Sequence, residues 1–344
     1  MTALQRSPAR YFQRPDAQAF SVDSTATSLT GYAGRVMLNK QRGAIMLNAS
    51  VGVIDPRYEV NDLGYLSRSD VANAHLASGY RWLTPTSLYR RIDIGGALFS
   101  AWDFDGNQTT KGAWTDAYIM FSNYYSCDVS AIYAGRSIDN RLTRGGPLTV
   151  SPHSFTTSLT LGTDNRQWWV ITGATEIERG PAGTGQSYSL DLQLKLSSNV
   201  SINVQPEYEK SSRTMQWVSS YEDPTASTFG RRYLLASLDQ EIFEANVRLN
   251  WILTPTLSVQ FYVQPLIASG AYSEFKFLAR PRTLDLTTYG TNGSSISEET
   301  NPDGSRSYLI DADGGGPALS YRTALGVPAW FSDVSGVDAE SVCR

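Results

Sequence analysis

Few residues in this chain have types and spacing suited to catalysis. His75 and His153 are its only imidazoles, and no G-x-S-x-G elbow, H-E-x-x-H helix or cysteine cluster accompanies them. His75 shares a strand face with Asn73, so a Ser–His arrangement inside a barrel is conceivable, whereas a structural histidine accounts for the same pattern. His153, in Ser151-Pro-His-Ser154, reads as a loop residue. Asp103-Phe-Asp105-Gly-Asn107 places oxygen ligands at alternate positions with glycine at the bend, like half of a calcium loop. It lacks the distal bidentate glutamate, and Asp-Gly and Gly-Asn are also ordinary turn chemistry. Asp103, Asp105 and Asn107 are therefore a calcium candidate set against an ordinary turn, and Asp311-Ala-Asp313-Gly314 offers fewer of the required ligands. In the loop from Tyr58 to Asp70, Glu59, Asp62, Arg68 and Asp70 lie among Tyr58, Leu63, Tyr65 and Leu66. That mixture suits a segment that plugs or lines a lumen, or a rim loop held by its own arginine–carboxylate contacts.

The elements that must position these residues are strands. Tyr188, Leu190, Leu192, Leu194 and Leu196 alternate with Ser187, Ser189, Asp191, Gln193 and Lys195. Val200, Ile202 and Val204 alternate with Ser201, Asn203 and Gln205. Phe243, Val247, Leu249 and Trp251 oppose Glu244, Asn246, Arg248 and Asn250, and Leu257, Val259, Phe261 and Val263 oppose Ser258, Gln260 and Tyr262. Each is a period-two pattern with one apolar face. Noisier runs lie near 30–39, 43–54, 71–82, 87–102, 111–123, 125–135, 154–163, 166–178, 231–239 and 269–280, for fourteen or fifteen strands in all. Many run to ten residues or more, the span of a tilted membrane strand and longer than a usual soluble strand.

Connections alternate between short, as at 40–42, 84–86, 123–124, 164–165, 197–198 and 254–256, and long, as at 55–70, 103–110, 136–153 and 179–185. That is the habit of outer-membrane barrels. Trp82-Leu-Thr-Pro-Thr and Trp251-Ile-Leu-Thr-Pro-Thr place a tryptophan just before a proline turn, where an interfacial aromatic girdle would lie. The fold class expected is all-β: an antiparallel up-and-down meander of long strands, a partial outer-membrane-type β-barrel. Asp191, Lys195, Glu244 and Arg248 are then expected to face the lumen. A soluble β-sandwich carbohydrate-binding module and a barrel-embedded hydrolase are the rival readings.

Composition bounds the partners. A formal net charge of -4 gives no basic footprint for nucleic acid, and no stretch is long and apolar enough for a transmembrane helix. Cys127 and Cys343 have no metal or redox spacing. The N-terminus has no apolar h-region of the secretory kind.

Several segments resemble the domain of unknown function 5916 family. They are Ala9-Arg-Tyr-Phe-Gln-Arg-Pro-Asp16, Tyr58-Glu-Val-Asn-Asp-Leu-Gly-Tyr65 with Arg68 and Asp70, and Arg144-Gly-Gly-Pro147. Further on come Arg231-Arg-Tyr233 with Leu238-Asp-Gln240, Arg248-Leu-Asn250 with Thr254-Pro255, and Ala279-Arg-Pro-Arg282. The resemblance implies an outer-membrane-type barrel following a domain similar to family-nine carbohydrate-binding modules, with this chain matching the second half of the barrel. It implies the bacterial outer membrane, a lipid bilayer and the remaining barrel strands as partners, and passage or surface handling of a solute or glycan. It assigns no activity. The organisation expected is an irregular lead-in over 1–29, a barrel segment over 30–290, and loop and tail over 291–344. From Leu319 onward the chain departs from the family pattern and reads as truncated or frameshifted, detached from the sheet.

Overall fold

A computed structural model describes residues 2–5, 10–302, 306–314 and 319–322. After a helical turn at Thr2–Gln5 the described chain is all-β. The strands are β1 (Ala33–Lys40), β2 (Ile45–Ile54), β3 (Val71–Trp82), β4 (Tyr89–Trp102), β5 (Gln108–Phe121), β6 (Ser126–Ala134), β7 (Ser137–Asp139), β8 (Thr149–Ser151), β9 (Ser154–Gly162) and β10 (Trp169–Gly180). They continue as β11 (Gly183–Ser197), β12 (Val200–Glu222), β13 (Arg231–Thr254), β14 (Leu257–Val263), β15 (Leu266–Leu278), β16 (Leu286–Thr288), β17 (Ser295–Thr300), β18 (Arg306–Asp311) and β19 (Leu319–Arg322).

Fourteen of these form one antiparallel meander, β1-β2-β3-β4-β5-β6-β9-β10-β11-β12-β13-β15-β16, with β14 also paired to β13. β14 and β15 follow one another along β13, one on each half, separated at Gln264-Pro265. β7 and β8 form a separate hairpin inside the connection from β6 to β9. The sheet is open: among the described residues no pairing joins β1 to β16.

The sheet is nevertheless strongly curled. β5 and β15 are seven strands apart, which in a flat sheet would be about 34 Å at ~4.8 Å per strand. Yet Arg282, just past β15, donates from Nη2 to Oδ1 of Asn107, just before β5, at 2.8 Å. The two faces differ accordingly. Ser50 and Asp93 are 4% and 7% exposed, while their neighbours Val51 and Ile94 are 57% and 46% exposed. Side chains crowd on the concave side and splay on the convex side, so the concave face carries the polar set.

Three differences from the sequence-based expectation stand out. The run 231–239 and the alternating run from Phe243 to Trp251 are one strand, because Asp239 and Gln240 keep their ladder pairing on both sides. The connection expected over 179–185 is a two-residue turn between Gly180 and Gly183, and Gly183 sits at φ 143° against the backbone of Ser212, where a side chain would not fit. The stretch taken as loop and tail holds the three-stranded sheet β17-β18-β19. Tyr308 and Ile310 of β18 alternate into an apolar cluster with Val218, Leu234, Phe275, Phe277 and Tyr289, which gives that short strand a surface to bury. Residues 319–322 are therefore paired, and the rest of the expected detached tail, with Cys343, lies outside the described residues.

Candidate functional site

Strand register aligns side chains across the whole meander. On the convex face one row runs Ile45, Tyr80, Ile94, Ala117, Val129 and Leu159, then Thr175, Tyr188, Tyr208, Phe243 and Ile267. It crosses eleven strands without a charge. Parallel rows join Ile171, Leu192, Val204, Val247 and Val263, and Trp169, Leu194, Ile202, Leu249 and Phe261. An apolar belt results, and most of it is solvent-accessible in the isolated chain: Leu98, Leu161 and Phe261 are each more than half exposed.

The concave face repeats the geometry with acids. One row reads Gly79, Gly95, Asp116, Ser130, Ser158, Glu176, Ser187 and Glu209. The next reads Arg81, Asp93, Tyr118, Asp128, Thr160, Ala174, Ser189, Glu207 and Glu244. Glu207 and Glu244 are direct cross-strand partners, a like-charge placement that opposes pairing. Glu176, Glu178, Glu207 and Glu209 line a cavity of about 230 Å³ with Arg213, whose Nη1 lies 2.8 Å from Glu178 Oε2. A second cavity, about 330 Å³, opens beside Asp116 and Trp114 where Gly79 and Gly95 leave space. A Cβ at Gly95 would lie 2.9 Å from Asp116 Oδ1.

Asp191, Lys195, Glu244 and Arg248 lie on this same face by register. Asp191 accepts from Asn203 Nδ2 at 2.5 Å, Lys195 Nζ donates to the Asn165 carbonyl, and the Arg248 guanidinium lies over the Tyr262 ring. His75 is also concave. Its Nε2 is 2.5 Å from Asn48 Oδ1, and no hydrogen bond joins it to Ser50, its cross-strand partner. His153 stacks at a tilt against Tyr133 in the loop before β9.

The remaining sequence candidates meet at the long-loop rim, around two buried arginines. Arg14 lies 3.3 Å from Asp103 Oδ2, 2.5 Å from Asp105 Oδ2 and 3.2 Å from Asp16 Oδ1. Asn107 donates to both oxygens of Asp103 at 3.0 Å, and Asp105 Oδ1 accepts the backbone N–H groups of Gln18 and Ala19. The oxygens of the calcium-like loop are thus gathered, but a guanidinium holds them. Among the described residues no group of three or more acidic, histidine or cysteine side chains forms a metal cage. Asp311 caps its own turn through the N–H groups of Asp313 and Gly314.

Arg10, wholly buried, pairs with Glu59 at 3.1 Å and donates to the Pro56 and Leu4 carbonyls. The 58–70 loop is therefore held from the N-terminal segment and not by its own arginine. Arg68 donates to Asn140, Asp62 is exposed, and Asp70 accepts the Phe104 N–H at 2.8 Å. Burial, opposed by that hydrogen bond and reinforced by Asp103, pushes the Asp70 carboxyl up to about 6. The Arg144-Gly-Gly-Pro147 segment closes the knot. Asp16 accepts the Leu148 N–H, Arg144 stacks on Trp217, and a Cβ on Gly146 would strike the Tyr233 ring at 2.2 Å. Sequence reading treats Arg10, Arg14 and Gly146 only as parts of family-like motifs; their convergence is a tertiary fact, with no local signal to announce it.

No curated protein and no solved structure matches the chain. A family model described as Domain of unknown function (DUF5916) matches residues 4–303. That span takes in the rim knot, the full meander and β17, and the chain belongs to this family.

Proposed function

We propose that this chain is membrane-spanning wall of an outer-membrane β-barrel that admits small cationic solutes along its concave face. The observation that carries the reading is the pair of registered surfaces, a charge-free row eleven strands wide backed by rows of carboxylates. In lipid, a sheet must turn its apolar side chains outward and keep its polar ones in water. Carboxylates spread along a lumen attract cations without trapping them, and the Glu207–Glu244 placement is relieved when a cation passes between them. The rim knot would hold the curl while strands beyond the open edges complete the wall.

Brominated lipids test the membrane placement. A variant retaining only Trp251, on the convex face, should be quenched, and one retaining only Trp114, on the concave face, should not. Equal quenching of both removes the reading. For the solute class, bilayer currents through the barrel completed by its remaining strands should reverse on the cation-selective side in a KCl gradient, and E176Q/E207Q/E209Q/E244Q should bring the reversal toward zero. An unchanged reversal potential excludes these carboxylates.

A further inference from the structure

The short-turn rim carries a basic feature that passage of cations does not use. Its six turns, residues 41–44, 83–88, 122–125, 163–168, 198–199 and 255–256, contain a single carboxylate, Asp164. The Tyr124 ring, held in the turn at φ 67°, carries two guanidinium groups, Arg90 at 4.2 Å and Arg166 at 3.3 Å from its centroid. Asp164 engages one edge of Arg166 with both oxygens, at 2.8 and 2.7 Å. Arg90 has no carboxylate partner among the described residues. Two cations on one ring against one carboxylate leave a net positive charge with unused N–H donors, in a place where like charges repel.

The surroundings are those of a membrane boundary. Leu88, Tyr125 and Trp168 are 64%, 42% and 58% exposed beside this stack, at the end of the convex apolar belt. Aromatic side chains with arginines at the edge of an apolar surface match the depth of lipid phosphates.

We propose that Arg90, Tyr124 and Arg166 form a binding site for the phosphate of an anionic phospholipid headgroup, which seats the short-turn rim in its leaflet. The inference rests on the membrane reading above. Arginine suits the task because its planar fork gives two parallel hydrogen bonds to one phosphate, with the ring holding each guanidinium in place.

The test is flotation of the refolded 344-residue chain with vesicles of phosphatidylcholine, with or without phosphatidylglycerol. The chain should float with both and bind the anionic vesicles more tightly. R90Q/R166Q should lose about fivefold in that preference for each arginine removed, roughly 25-fold in all. K210Q/R280Q, of equal charge change at the other end of the strands, should keep it. R90K/R166K should recover part of the loss, since charge remains while fork and stacking go; matching strand content by circular dichroism excludes misfolding. Equal binding of wild type and R90Q/R166Q to anionic vesicles overturns the site and leaves the membrane reading intact. Failure to float with either composition overturns both. Loss of the preference in inorganic phosphate, but not in chloride of matched ionic strength, assigns the stack to a free anion and overturns the lipid assignment.

Discussion

The rim knot and the curled sheet use the same residue types to opposite ends. At the rim, Arg10 and Arg14 are buried, and Asp16, Glu59, Asp70, Asp103 and Asp105 are each turned on a cation or a backbone N–H. On the sheet, carboxylates line one face at intervals of one or two strands, several with no cation beside them, and the apolar residues are the exposed ones. Charge holds structure together only where water is kept out and every partner is present; elsewhere it is available to ligands.

The sharpest way to break that contrast is R14A. It leaves Asp103 and Asp105 buried without their cation, and breaking a buried pair from one side costs about 3–5 kcal/mol. Unfolding in urea, followed by tryptophan fluorescence, should show a loss of that size. A loss below about 1 kcal/mol would place the Arg14 contacts among ordinary surface pairs.

Asp70 gives the next effect, with the opposite sign. Its folded carboxyl titrates near 6, above the ordinary carboxylate value, so the fold binds the proton more tightly than the unfolded chain does. The stability it contributes is present below about pH 4 and is lost as pH rises through 6. D70N keeps the acceptor for the Phe104 N–H and removes the charge, so it should stabilise the protein by about 3 kcal/mol at pH 8. It should change little at pH 4, and a mutant whose stability gain is the same at both values contradicts the assignment.

G146A probes the close approach at the same rim. The new methyl would lie 2.2 Å from the Tyr233 ring, and overpacking of this kind costs about 1–3 kcal/mol. The double mutant with Y233A should lose less than the sum of the two single losses, whereas an additive double mutant would mean the ring is not the obstacle. Smallest is K210Q on the sheet. Lys210 and Glu241 form a 2.6 Å pair with side chains about half exposed, so the change should stay within about 0.5 kcal/mol and shrink further in salt. A K210Q effect as large as that of R14A would erase the distinction between the two regions.

Much of the sheet is legible without coordinates, and the reason is periodicity. The bounds of β3 coincide with the alternating run 71–82, and those of β4, β6 and β9 fall within two residues of the expected ones. Strand polarity, neighbour order and the composition of each face follow from alternation and short turns, because successive side chains point to opposite sides. β12 shows where this fails. Past Glu207 its pattern is broken by the register shifts between Arg213 and Gln216 and between Trp217 and Ser219, so a 23-residue strand reads as one of about eight. β18 fails for another reason: six residues supply a period-two signal too short to distinguish from a loop.

By itself the sequence determined that this is a meander of long antiparallel strands with one apolar and one polar, charge-bearing face, since both properties repeat every two residues. Only the tertiary structure decided what the punctuating residues do. Arg10, Arg14, Asp103, Asn107, Arg144, Gly146, Tyr233 and Arg282 come from five separate stretches of the chain. Each is unremarkable where it stands, and their meeting depends on a curl that carries β5 and β15 toward one another. Curl is the sum of small rotations between neighbouring strands, set by packing at the rim, and no local window of sequence contains it.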